Sequence, residues 1–74
     1  MADRTLDLRH LKCPLPVLHA RKALAAMAAG DVLVVECTDP MSRIDIPVLV
    51  RQTGDVLEAV ETAGDVTRFR IRKG

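Results

Sequence analysis

The run Asp31-Val32-Leu33-Val34-Val35-Glu36-Cys37 is almost unbroken in aliphatic and β-branched side chains. An amphipathic helix or a half-exposed strand would interrupt such a run with polar residues. Its continuity predicts a strand in the middle of a sheet. The rest of the chain must then supply the strands that flank it and the layer that covers it.

Those elements can be read on either side. Leu6-Asp7-Leu8-Arg9 alternates apolar and polar residues, the pattern of a half-buried strand with Leu6 and Leu8 facing in. An Ala-rich stretch runs from Cys13-Pro14-Leu15-Pro16 to Gly30 and predicts a helix that stops at Gly30. At helical spacing Val17, Ala20, Leu24, Met27 and Ala28 share one face, and His19, Lys22, Ala26 and Ala29 the opposite one. Leu18 falls on the exposed flank. Thr38-Asp39-Pro40 is turn chemistry. A second helix should pass through Ile46, Leu49 and Val50 and end at Gly54, with Asp45 as its N-cap and Pro47 in its first turn.

Two further strands, 56–62 and 66–73, are expected as a hairpin joined by Ala63-Gly64-Asp65. In the second of them Thr67, Phe69 and Ile71 should face the core. Arg68, Arg70 and Arg72 should face water and pair with Glu58 or Glu61. The order is β-α-β-α-β-β, and right-handed crossovers put both helices on one side of the sheet. The expected fold is an α+β two-layer sandwich, a four-stranded mixed sheet with two helices on one face, as a single domain over residues 1–74.

Composition narrows the function. Lys and Arg number 11 against 10 Asp and Glu, and Phe69 is the only aromatic residue besides two His. Nucleic-acid binders need a basic excess or stacking rings, so direct nucleic-acid binding is not expected. Two cysteines allow one disulfide at most and no Cys₄ metal knuckle; no metal and no separate cofactor is expected. The first residues are charged and lack the apolar run of roughly 7–15 residues that marks a signal peptide. The expectation is a cytoplasmic protein, with no membrane association and with both thiols reduced.

In such a setting Cys13 calls for a chemical account. Pro14 and Pro16 are tolerated in a first helical turn, whose N–H groups have no intrahelical partner, and they stiffen it. A cysteine there feels the positive end of the helix macrodipole, and Arg9 and Lys12 lie near in sequence. Its pKa is expected to fall below the free-cysteine value of about 8.5. Leu15 and Val17 are read as having N–H groups available to a sulfur anion. The chain has no Cys-x-x-Cys and no evident Cys-His-Asn arrangement, which sets aside dithiol exchange and protease-like chemistry. A lone, accessible, acidic thiol suits the acceptance and release of a sulfur atom as a persulfide.

Leu6-Asp7-Leu8-Arg9 followed by Leu11-Lys12-Cys13-Pro14-Leu15-Pro16 resembles the Cys-Pro-x-Pro signature of the TusA/SirA-like sulfur carriers. The likeness continues through Gly30-Asp31, Thr38-Asp39-Pro40, Asp45-Ile46-Pro47 and Ile71-Arg72-Lys73-Gly74. It implies a sandwich like the C-terminal domain of translation initiation factor three. It also implies a sulfurtransferase that carries persulfide on Cys13, loaded by a cysteine desulfurase or a rhodanese and unloaded by an acceptor sulfurtransferase. Transfer RNA thiolation, molybdenum-cofactor assembly and sulfur oxidation are the destinations that the family suggests. One departure is His10, where the family usually has Gly; a position needing positive φ would strain it.

Each residue has a plainer reading beside this one. Cys13 could be a buried helix-start cysteine, and Cys37 a core residue or a resolving thiol. His10 is either an acid/base contact to the sulfur or a loop residue, and His19 is solvated. Asp39 is either a turn residue or part of the site. Leu18, Arg21 and Lys22 form an expected docking surface for partners of a monomeric carrier. The rival functions are a non-catalytic regulatory module with a redox-sensitive thiol, and an RNA-binding module suggested by fold analogy and the arginine strand.

Overall fold

The computed structural model describes residues 3–74. They form β1 (Asp3–Leu8), α1 (Leu15–Ala25), β2 (Val32–Cys37), α2 (Ser42–Thr53), β3 (Val56–Ala63) and β4 (Val66–Arg72). The strand order is β1-β2-β4-β3, so the aliphatic run of β2 lies inside the sheet as its composition requires. β1 pairs with β2 in parallel, while β4 runs antiparallel to both β2 and β3. The second strand-helix-strand unit therefore straddles β4.

Register explains the core. Leu33, Val35 and Cys37 stand opposite Ile71, Phe69 and Thr67, and Leu6 and Leu8 of β1 stand beside Val35 and Cys37. Alternation then carries these side chains to one face, where they join Ala20, Ala23 and Leu24 of α1 and Ile46, Leu49 and Val50 of α2. Phe69, the single large ring, is fully buried among them. The other face is open. There Arg68, flanked in the ladder by Glu36 of β2 and Glu61 of β3, pairs with Glu36 at 2.8 Å rather than with Glu58 or Glu61. Arg70 and Arg72 do reach Glu58.

Both helix boundaries differ from the sequence reading. α1 ends at Ala25, not Gly30, and Ala28 is exposed. The carboxylate of Asp31 takes the Ala28 N–H at 3.0 Å, a donor that a continuing helix would give to Leu24. The Leu24 carbonyl accepts from Met27 instead. α2 starts at Ser42, and Asp45 lies within its first turn rather than capping it. Asp39 organises that start: its Oδ1 accepts the Met41 N–H, and its carbonyl accepts both the N–H and the hydroxyl of Ser42. Pro47 consequently sits inside the helix and brings no N–H to the Arg43 carbonyl. Gly54 ends α2 at φ 78°, with the Asp55 N–H reaching back to Val50 in a Schellman-type closure. No helix among the described residues is long and apolar enough to cross a membrane.

The last residues are tied to the connections on the far side. Gly30 donates to the Lys73 carbonyl and Lys73 donates back to Asp31. The buried carboxylate of Asp55 accepts from the Thr53 hydroxyl at 2.6 Å and from the Gly74 N–H at 2.8 Å, with the Lys73 ammonium at 3.6 Å. Burial alone would raise the Asp55 carboxyl, but these donors and the nearby cation bring it below the ordinary carboxylate value. A depressed carboxylate stabilises the fold fully above its unfolded pKa and ceases to do so as pH falls through its folded one. Asp55→Asn should therefore lower stability at neutral pH and flatten its decline below about pH 4, as urea unfolding across pH would show.

Candidate functional site

Parallel pairing of β1 with β2 brings their C-terminal ends together, Leu8 beside Cys37, and the loops that leave those ends meet above the sheet. Ligand sites of α/β layers commonly form there. Two hydrogen bonds stitch the loops. The His10 N–H donates to Thr38 Oγ1 at 2.9 Å, and the Cys13 N–H donates to Asp39 Oδ2. Asp39 is thus both the turn residue that starts α2 and the support of the cysteine loop.

His10 has φ 73°, in the left-handed region that favours glycine. Its imidazole borders a cleft of about 420 Å³ together with Leu11, Lys12, Cys13, Thr38, Asp39 and Pro40. The Cys13–Pro14 peptide bond is cis. Pro14 precedes the first helical residue and its carbonyl accepts the Leu18 N–H, while Pro16 packs its ring into the core at the second helical position. Cys13 itself is exposed, two positions ahead of α1.

Its sulfur is not the depressed thiol the sequence suggests. Sγ donates to Asp45 Oδ2 at 3.1 Å. That bond, then partial loss of solvent, then the negative charges of Asp45 and Asp39, hold the Cys13 thiol above the ordinary cysteine value. The anticipated cations do not offset them. Arg9 is engaged by Asp7 through Nε at 2.8 Å and Nη2 at 2.9 Å, which holds the Asp7 carboxyl down at about 2. The Leu15 N–H, expected to be free for sulfur, is taken by the Lys12 carbonyl at 2.9 Å.

On the other side of Cys13 a groove of about 250 Å³ is lined by Pro14, Val17, Asp45, Val48, Leu49 and Gln52. The sulfur-bearing residue therefore stands between a cleft of mixed polar and apolar lining and a largely apolar groove. Cys13, Pro14, His10, Lys12 and Asp39 come together here; Arg9, Arg21 and Lys22 border neither space. Leu18 is 51% exposed on α1, and Arg21 and Lys22 are exposed beyond it. Cys37 is fully buried in the core, where desolvation pushes its thiol up. No cluster of three or more metal-ligating side chains occurs among the described residues.

Asp45 is the site residue that sequence reasoning misassigned. The only signal was an aspartate shortly after the Thr38-Asp39-Pro40 turn, which falls in the first turn of α2 once the helix is started at Ser42 rather than capped by Asp45.

An exposed cysteine on a rigid proline-flanked loop, above a β-α-β-α-β-β sandwich, defines a small class of proteins. The family described as Sulfurtransferase TusA matches residues 4–73, and the chain belongs to it. It is 44% identical over 71 residues to the sulfur carrier protein TusA of Allochromatium vinosum, covering 96% of this chain and 93% of that one. It is 52% identical over 68 residues to a protein of Neisseria meningitidis serogroup A named as a candidate sulfur carrier, covering 90% and 92%. A crystal structure of a SirA-like protein from Desulfitobacterium hafniense superposes with a TM-score of 0.83 at 32% identity, covering 96% of this chain and 97% of that one.

His10 gives a direct check on the loop geometry. His10→Gly should relieve the left-handed strain and raise stability by about 0.5–1 kcal/mol in chemical denaturation, the gain being trimmed by the freer unfolded chain.

Proposed function

We propose that this chain is a sulfur carrier that accepts sulfane sulfur on Cys13 and passes it to a second protein. The observation that carries the reading is the placement of Cys13. It is the exposed cysteine of the pair, held by its own N–H on Asp39 and by Pro14, in a chain of the TusA family. A relay needs an accessible sulfur on a stiff support more than it needs a substrate pocket.

In loading, Cys13 Sγ bonds to the outer sulfur of a donor persulfide as the donor's S–S bond breaks. The electron pair of that bond stays on the donor's inner sulfur, which takes up the proton that Cys13 gives up. In unloading, an acceptor thiolate attacks the outer sulfur on Cys13, and Cys13 leaves as the thiolate. Each transfer exchanges one S–S bond for another, so no external oxidant or reductant is required. Lys12 and His10 border the cleft beside Cys13.

The donor is a cysteine desulfurase or a rhodanese and the acceptor another sulfurtransferase, both met transiently by a monomer in the reducing cytoplasm. Exposed Leu15 and Leu18 on α1, Met41 just ahead of α2, and Ile44 and Val48 on α2 offer apolar contact to a partner, Val48 in the groove beside the cysteine. Arg21 and Lys22 extend that surface with positive charge. Transfer RNA thiolation, molybdenum-cofactor assembly and sulfur oxidation are the acceptor pathways to be compared.

Incubation with a cysteine desulfurase and cysteine, followed by intact-mass measurement, should add the mass of one sulfur atom to the wild-type chain. Cys13→Ala should gain nothing. Equal uptake by the two would overturn the assignment.

A further inference from the structure

Asp45 reaches the sulfur from α2, 32 residues along the chain from Cys13. The carboxylate is partly buried, in the groove walled by Pro14, Val17, Val48 and Leu49. In this pair the Cys13 thiol donates and the Asp45 carboxylate accepts. The other charged or titratable groups around the sulfur are Asp39, from the loop after β2, and His10 and Lys12, from the cysteine's own loop across the larger cleft. The sulfur thus has the Asp45 carboxylate on its groove side, and on its cleft side the Lys12 ammonium together with the Asp39 carboxylate, whose oxygens are already taken by the Cys13 and Met41 N–H groups.

Resting on the persulfide reading of Cys13, we propose that Asp45 is a latch that engages the sulfur only while the carrier is empty. An empty Cys13 has a hydrogen to give, and Asp45 takes it. Once a sulfane sulfur is attached, Sγ is bonded to Cβ and to the outer sulfur and has no hydrogen left. The acidic atom is then the outer sulfur, and as an anion it is repelled by the Asp45 carboxylate. The loaded sulfur turns away from Asp45 into the cleft bordered by Lys12, His10 and the already hydrogen-bonded Asp39.

The latch has two consequences. The empty carrier is held as a thiol, which is a poor nucleophile toward electrophiles and oxidants compared with the thiolate. Empty and loaded carriers also differ at the same spot, with a carboxylate bonded to a neutral thiol in one and a released carboxylate beside a persulfide anion in the other.

Alkylation of Cys13 by iodoacetamide, followed by peptide mapping across a range of pH, reads the thiolate without any sulfur donor. Its outcome is therefore separable from that of the persulfide measurement. Asp45→Asn, its fold checked by circular dichroism, should bring the midpoint of reactivity down and make alkylation at neutral pH several-fold faster. An unchanged midpoint in the folded variant overturns the latch.

Nuclear magnetic resonance on the wild-type chain serves if the variant does not fold. The Asp45 carboxyl carbon should show a second inflection at the pH where Cys13 loses its proton. That inflection should vanish after Cys13 is capped with methyl methanethiosulfonate, which leaves Sγ bonded to sulfur and without hydrogen. A missing second inflection, or one that survives capping, overturns the proposal as well.

Discussion

The carboxylate of Asp39 is the joint on which the upper end of this molecule turns. One oxygen accepts the Met41 N–H and sets where α2 begins; the other accepts the Cys13 N–H and holds the loop that leads into α1. Hydrogen bonds to a charged acceptor are among the stronger local ties, about 1.5–3 kcal/mol each. A single side chain therefore fixes the phase of one helix and the entry to the other. Because α2 starts where Asp39 places it, Asp45 rather than some neighbour meets the sulfur.

Below that joint, stability comes from a different source. One aliphatic layer with one ring, Phe69, separates the sheet from two short helices. A chain of this size buries only about 60% of the surface its unfolded form exposes, so the apolar contribution is modest. Local ties at the ends matter correspondingly more. The polar contacts of Asp55 with the C-terminal residues, and the Gly30–Lys73–Asp31 exchange, close the end of the sheet opposite the sulfur site. The two ends are thus secured by aspartates in different ways. Asp55 accepts from the chain terminus, and Asp39 from two loops.

Elements with strong periodic patterns were legible before the structure. The continuous apolar run of β2, the alternation of Phe69 and Ile71 with arginines, and the stop at Gly54 each follow from a short-range rule, and each is where the sequence reading puts it. What escaped depends on side chains competing for backbone groups across a turn. Asp31 capturing Ala28 shortened α1, and Asp39 capturing Met41 moved the start of α2. Neither competition has a periodic signature. The cysteine was found through its prolines, but its electrostatic setting was inferred from residues near in sequence. Arg9 was already committed to Asp7, and the group that governs the sulfur comes from another helix.

β3 is an edge of the sheet and leaves Val56 and Val60 exposed, the composition of a strand that could pair with a strand of another chain. The register slips between Leu57 and Ala59, leaving Glu58 without a cross-strand partner in the ladder. Such a bulge twists an edge away from the flat geometry that intermolecular pairing needs, and it places a carboxylate there as well. That edge is thereby a poor template for the strand of a second copy.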